Sequence, residues 1–115
     1  MDELIQNAER AALTSVGADG FPRTLLTELL AAEEGPVLYF AVSAKGAQAA
    51  DFRVNPKASV LIAQERESVS LTGFVTQVYN RQTKADVWSS RMIGQFPQGY
   101  MDPDFCVLRF EPARR

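Results

Sequence analysis

The sequence has 115 residues, of which 46% are hydrophobic and 23% are charged, a balance typical of one globular domain. Its formal net charge of −2 argues against a protein that works on nucleic acid or on an anionic membrane, since both require a basic face. It contains no histidine, which excludes Ser-His-Asp and Cys-His catalysis as well as histidine-ligated metal or haem.

Cysteine usage and hydropathy point to a cytoplasmic protein. Cys106 is the single cysteine, so no disulfide can form within the chain and a reducing compartment is expected. The first residues show neither the basic region nor the long apolar region of a secretory signal. Because no apolar run reaches the roughly 18–20 residues of a membrane span, we expect no membrane partner.

The first third of the chain predicts a helix followed by strands. Apolar residues recur at helical spacing over residues 2–11. Ala18-Asp19-Gly20 carries the Asp-Gly signal of a hairpin turn. The leucines of residues 23–32 suit either an amphipathic helix or a strand. The turn before them and the turn signal Glu33-Glu34-Gly35-Pro36 after them favour the strand.

The remaining two thirds predict strands interrupted by two helices. A helix over residues 45–54 ends at Asn55-Pro56, because the residue before a proline avoids the helical region. Gly73 interrupts the alternation of a long strand and predicts a bulge or bend. Asn80 can cap a second helix running to about residue 93. The predicted strands are 12–16, 23–32, 36–43, 57–64, 68–79 and 105–110, and the predicted helices are 2–11, 45–54 and 80–93.

The order of these elements predicts a barrel. Strands dominate, and there is no regular alternation of strands with helices of the kind that builds a parallel sheet. Closure of the sheet is the economical way to remove its edges. We therefore predict a mainly β fold with short α-helices: a six-stranded antiparallel split β-barrel of the Greek-key type, homodimeric, with residues 1–115 forming one domain.

Five segments, in this order, resemble a known family. They are Ala18-Asp19-Gly20-Phe21-Pro22-Arg23, Leu38-Tyr39-Phe40-Ala41-Val42-Ser43, Phe52-Arg53-Val54-Asn55-Pro56-Lys57-Ala58-Ser59-Val60, Val69-Ser70-Leu71-Thr72-Gly73-Phe74-Val75, and Phe96-Pro97-Gln98-Gly99 with Asp102-Pro103-Asp104-Phe105. The sequence resembles the FMN-binding split-barrel family related to pyridoxamine 5'-phosphate oxidase, in its short general-stress-protein branch.

The resemblance implies a homodimer that holds flavin mononucleotide (FMN) at the subunit interface. The phosphate would be bound by a basic residue after the Asp-Gly turn and by the corner at residues 43–49, and the ring would lie on the backbone of residues 25–27. The candidate cofactor-binding residues are Arg23, Leu25, Leu26, Thr27, Val42, Ser43, Lys45 and Gln48. No catalytic side chain or metal ligand is identified.

The sequence also departs from the family pattern at the phosphate positions. The usual arginine falls on Leu25, and the usual Ser-Arg-Lys falls on Gly46-Ala47-Gln48. A phosphate normally requires Arg or Lys in close contact. Two readings follow: an FMN-dependent oxidoreductase of unknown substrate, or a degenerate dimeric barrel that serves as a ligand-binding or structural module. Pyridoxamine-phosphate oxidation itself is not expected, because the chain lacks the extended C-terminal segment of the oxidases.

Several other residues could serve either in packing or in a functional site. Trp88 lies at helical spacing with Ala85 and Met92, which favours core or dimer packing over stacking on a ring. Phe96, Tyr100 and Met101 could either cover a ligand or tuck into the core. Cys106 is expected to be a small buried residue rather than a nucleophile. The paired acidic residues of the turns are expected to be solvated or to cap loops.

Overall fold

A computed structural model describes residues 2–113 of the chain. Its strands are β1 (Arg10–Val16), β2 (Pro22–Glu33), β3 (Val37–Ser43), β4 (Lys57–Gln64), β5 (Glu67–Val78) and β6 (Phe105–Pro112). Its helices are α1 (Glu3–Asn7), α2 (Ala47–Val54) and α3 (Arg81–Val87), and 3-10 turns follow at Ser90–Met92 and Gly99–Met101.

The six strands form one closed antiparallel barrel in the order β1-β2-β3-β6-β5-β4, with β4 paired back to β1. Two of these neighbours, β3 with β6 and β1 with β4, are distant in sequence, and their pairing closes the sheet. The predicted mainly β fold with a six-stranded antiparallel barrel and short helices is therefore confirmed. Closure gives every strand a neighbour on each side.

The inward side chains of all six strands fill the barrel. Leu13, Phe40, Val60, Leu108 and Phe110 are each at most 1% exposed. The core also includes Ile5 of α1 and Ala49 and Phe52 of α2. Because inward and outward residues alternate along each strand, the barrel wall presents a second, outward face.

A second apolar cluster covers the outer face of β3 and β6. Met92 and Phe96, which follow α3, pack there with Phe105 and Val107 of β6. Trp88 contacts Phe105 edge-on, with ring centroids 5.1 Å apart. Trp88 is thus a packing residue, as its spacing predicted, and Phe96 is buried rather than a cover for a ligand.

Two predicted helices are shorter in the structure. The helix expected over residues 2–11 ends at Asn7, because Arg10 and Ala11 pair with β2. The helix that Asn80 caps ends at Val87, and a 3-10 turn replaces its last part. The Asn80 side chain does accept the N–H of Thr83, at 2.9 Å, as a cap. Residues 23–32 are strand, as the flanking turns indicated. The last strand continues through Pro112, and residues 114 and 115 of the expected tail lie outside the described residues.

The sequence predicted a bulge or a bend at Gly73, and the bulge was a wrong prediction. β5 pairs with both β4 and β6 through Gly73 without a register shift. The shift in the described ladder of β2 and β3 lies between Leu29 and Ala31. Gly73 is required for a different reason: a Cβ atom there would overlap the carbonyl oxygen of Glu111 and lie 2.8 Å from the Phe110 ring.

Replacing Gly73 with alanine should therefore destabilise the barrel. We expect Gly73→Ala to lower the free energy of unfolding by at least about 2 kcal/mol, because β6 must move away from β5. Denaturant unfolding followed by far-ultraviolet circular dichroism measures the loss. Gly94→Ala is the matched control, since a Cβ atom at Gly94 meets nothing within 4 Å. Equal stability of the two variants would contradict the account.

Candidate functional site

A cleft of about 260 Å³ opens between β2, β3 and the start of α2. Of the predicted site residues, its wall includes Leu25, Leu26, Thr27, Val42, Ser43 and Gln48. Gly46 and Ala47, which belong to the predicted corner at residues 43–49, also line it. The lining residues that the sequence did not single out are Glu28, Ala41 and Gln95. Arg23 and Lys45 lie outside the lining set.

The cleft exists because β2 and β3 diverge. Along its whole length up to Glu28, β2 pairs with β1. Its ladder with β3 starts only at the pair Glu28 and Ala41 and runs toward the Glu33 end. One edge of the β2 backbone at residues 22–27 therefore faces the gap. The carbonyls of Leu25 and Arg23 already accept hydrogen bonds from the side chains of Thr27 and Gln48. The backbone groups of this edge that lack such a partner can bond to a ligand.

The corner between β3 and α2 forms the other wall. The N–H of Gly46, the N-cap of α2, donates to the carbonyl of Ser43 at 2.9 Å. No side chain caps the helix at Gly46, so the first-turn N–H groups of α2 remain available as donors at the cleft.

Ser43 is already engaged within the protein. Its hydroxyl donates to the carboxylate of Asp104 at 2.7 and 2.9 Å, and it accepts the N–H of Lys45 at 3.3 Å. The Ser43 hydrogen bond is the main reason why the pKa of Asp104 lies below its ordinary value, with the N–H and charge of Lys45 adding to it. The corner therefore holds a carboxylate anion at neutral pH.

Gln48 is a buried clamp rather than a free ligand-binding group. Its side chain is 2% exposed. The amide nitrogen donates to the carbonyl of Leu13 at 2.6 Å and to that of Arg23 at 3.5 Å. The amide oxygen accepts the Thr27 hydroxyl at 3.3 Å. Gln48 thus ties α2 to β1 and β2, and its donors are not free for a ligand.

Arg23 binds a carboxylate inside the molecule. Its Nε donates to Asp51 of α2 at 2.8 Å, and the buried Ser15 hydroxyl donates to the same oxygen at 2.8 Å. The Arg23 hydrogen bond chiefly lowers the pKa of Asp51, with help from Ser15 and against the effect of burial. Arg23 therefore holds α2 on the barrel.

Glu28, at the opposite end of the cleft, is the centre of an ion-pair cluster. Arg10 donates to it across the strand pair at 2.7 Å, and Arg91 donates to it from the 3-10 turn after α3. Burial raises the pKa of Glu28, but the two arginines outweigh it and hold this pKa below its usual value. Arg91 also donates to the carbonyl of Leu29 at 2.9 Å.

The remaining candidates have structural roles. Tyr100 and Met101 are exposed and lie outside the cleft lining. Cys106 is 2% exposed, and burial raises the pKa of its thiol, which confirms a small buried residue. Asp102 accepts the N–H groups of Asp104 at 2.9 Å and Gln98 at 3.1 Å, so it shapes its loop.

Residues 2–113 contain neither a metal-binding cluster nor a membrane-spanning helix. No group of three or more Cys, Asp or Glu side chains there is arranged to hold a metal ion. None of the helices in that stretch is long and apolar enough to cross a membrane.

FMN fits this cleft only in part. Leu25, Val42 and the free backbone edge of β2 offer a planar ring an apolar wall with hydrogen-bonding groups. The phosphate does not fit equally well. The one ionisable residue of the lining set is Glu28, and Arg23 is bound to Asp51.

The fold and the cleft define a split barrel with a ligand-sized opening beside α2. A family model described as pyridoxamine 5'-phosphate oxidase matches residues 1–115. The chain belongs to this family. Among curated proteins, no sequence match was found.

Solved structures share the fold at low sequence identity. A Clostridium acetobutylicum protein related to general stress protein 26 aligns with a TM-score of 0.86 and 18% identity, over 96% of this chain and 79% of that one. General stress protein 26 of Bacillus anthracis aligns with a TM-score of 0.80 and 19% identity, over 95% and 83%. The heme storage protein HutZ of Vibrio cholerae aligns with a TM-score of 0.75 and 18% identity, over 98% and 87%. At these identities the likeness concerns the fold.

The bond between Arg23 and Asp51 should make stability depend on pH. Because the pKa of Asp51 is lowered in the fold, its stabilisation is complete above the unfolded value of about 4 and is lost as pH falls through the folded value. We expect Asp51→Asn to cost about 1–2 kcal/mol at pH 7, the low end for a charged bond because Arg23 is half exposed.

The measurement is denaturant unfolding of both proteins at pH 7 and at several values below pH 4. The stability difference between them should shrink in acid. Glu67→Gln, at an exposed carboxyl on β5, is the control and should show a much smaller difference at pH 7. A difference for Asp51→Asn that stays constant with pH would contradict the role given to this carboxylate.

Proposed function

We propose that this protein binds a flavin in the cleft between β2, β3 and α2 and acts as a flavin-dependent oxidoreductase. The observation that carries the proposal is the agreement of two independent results. The lining of the cleft contains most of the residues that the family resemblance assigns to the cofactor. FMN is the flavin that this resemblance implies.

The chemistry would come from the flavin, which transfers hydride or single electrons when bound. This chain would supply position and surroundings. Leu25 and Leu26 would contact the ring, and the free edge of β2 would bond to its polar rim. Arg10 and Arg91 hold Glu28 in its ionised form, so Glu28 would not act as a proton donor.

We also propose a homodimer whose interface borders the cleft. The outward residues of β2, β1, β4 and β5 form two adjacent uncharged rows, read from the strand register. They are Leu26, Ala12, Leu61 and Ser70, and Thr24, Thr14, Ser59 and Thr72. Leu26 is 71% exposed and also lines the cleft. A second copy seated on this surface would cover an uncharged face with two exposed leucines and close the open side of the cleft.

We also propose a domain organisation and a cellular location for the protein. The family model spans residues 1–115, and we propose that they form a single domain. The one cysteine is buried and unpaired, which suits a reducing compartment, so we propose a cytoplasmic protein.

Flavin binding is tested by titrating riboflavin and FMN with the purified protein and following the quenching of flavin fluorescence. We expect saturable binding at micromolar concentrations. Ala47→Trp should abolish it by filling the cleft, because Ala47 lines the wall at the start of α2. Ala50→Trp is the matched control, since Ala50 is exposed on the same helix outside the lining set.

An absence of binding by the wild-type protein to either flavin would remove this function. The degenerate alternative, a dimeric barrel that serves as a binding or structural module, would then be favoured. Its support is that Ser43, Gln48 and Arg23 all have partners within the protein.

The dimer is tested by placing a charge on the uncharged rows. We expect Leu61→Lys to convert a dimer into a monomer in sedimentation velocity, because the lysine would lose its hydration against the second copy. Ile93→Lys is the control, since Ile93 has similar exposure, 52% against 44%, and lies outside these rows. A wild-type monomer, or a Leu61→Lys dimer of unchanged strength, would count against this interface.

A further inference from the structure

The wall of the cleft lacks a cation. Glu28 is the one ionisable residue among those that line it, and this residue carries a negative charge. Arg10 and Arg91 lie next to it, but both donate to its carboxylate. A bound dianion would therefore meet no lysine or arginine side chain on the lining surface.

The corner at the start of α2 is negative as well. The Ser43 hydroxyl has one hydrogen, and it is directed at the Asp104 carboxylate, 2.7 Å away. A phosphate at Ser43 would have to displace that bond and lie beside a like charge, which is unfavourable. Lys45 is exposed, and its positive charge already acts on Asp104.

Arg23 is unable to compensate. Its guanidinium donates to Asp51 at 2.8 Å, and Asp51 is also held by Ser15. Turning Arg23 toward the cleft would leave a buried carboxylate without its main partner, and that loss would offset the gain at the phosphate.

The donors that remain are neutral. The first-turn N–H groups of α2, at Ala47 and Gln48, are uncapped by any side chain. The backbone edge of β2 before Glu28 is free of β3. Such groups bond to hydroxyl and carbonyl oxygens as well as to anions, and they do not require an ionised ligand.

We infer that this cleft does not discriminate in favour of a phosphorylated flavin, so an unphosphorylated flavin of the riboflavin type, whose polyhydroxyl chain is neutral, binds within tenfold of FMN. The inference rests on the proposed function, since it specifies the ligand of the same cleft. It follows from the lack of a cation on the wall, the carboxylate beside Ser43 and the pairing of Arg23 with Asp51.

The test compares riboflavin and FMN on the wild-type protein, using the quenching of the fluorescence that both ligands share. We expect FMN to bind no more than tenfold more tightly than riboflavin, whereas two charge-assisted phosphate contacts would give a preference of roughly a hundredfold or more. A preference for FMN above tenfold overturns the inference and leaves the flavin function standing. Binding of neither ligand overturns both.

Leu25→Arg supplies the missing cation in the cleft. We expect it to raise FMN affinity by about tenfold or more, as one charge-assisted hydrogen bond does, and to leave riboflavin affinity nearly unchanged. Leu25→Met, long but uncharged, is the matched control and should leave the ratio of the two affinities as it was. A Leu25→Arg protein that binds riboflavin with an unchanged ratio overturns the inference.

Asp104→Asn gives an independent readout if Leu25→Arg does not fold. Asp104 lies outside the cleft lining and is partly exposed. Removing its charge should raise FMN affinity relative to riboflavin severalfold, because the like charge would no longer oppose the phosphate. An unchanged ratio shows that this carboxylate does not act on the phosphate position, and it overturns the inference.

Discussion

The divergence of β2 from β3, held in place by Gln48, is the constraint on which the site depends. β2 pairs with β1 over residues 22–28, and it pairs with β3 only from Glu28 onward. The buried amide of Gln48 bonds to β1 and β2 at this point, so α2 is fixed beside the gap. With α2 at this position, the sheet closes into a barrel while the gap between β2 and β3 remains open as a cleft. Any ligand of this surface therefore meets backbone edges and uncapped helix amides before it meets charged side chains.

The charged groups around the cleft are bonded within the protein and stabilise the fold, so they are not free to bind a ligand. Asp51 holds Arg23, Asp104 holds Ser43, and Glu28 holds arginines from β1 and from the turn after α3. In each case the pKa of the carboxyl is lowered, so the negative form is the bound form. The side chains that could donate to a phosphate donate to these carboxylates instead, and the resulting hydrogen bonds join secondary-structure elements.

The barrel fold and the ligand preference of the cleft depend on different residues. The fold is shared with general stress protein 26 structures at 18–19% identity, because many different apolar side chains can fill the same closed wall. The cleft depends on single side chains. A substitution at Leu25 leaves the inward core intact and still changes the charge that a ligand encounters, so family membership predicts the architecture better than the ligand.

Local sequence by itself determined the strands, the two turn-bounded hairpins and the cap at Asn80, because alternation, Asp-Gly turns and capping side chains act over a few residues. It also located most of the cleft wall, through the resemblance. Only the tertiary structure decided that α1 ends where Arg10 pairs with β2, that Gly73 is a point of close approach, and that Arg23 bonds to Asp51. These outcomes depend on partners between 18 and 38 positions away in sequence. No short-range pattern contains such partners, because only the pairing of whole strands and the docking of α2 on the barrel bring them into contact.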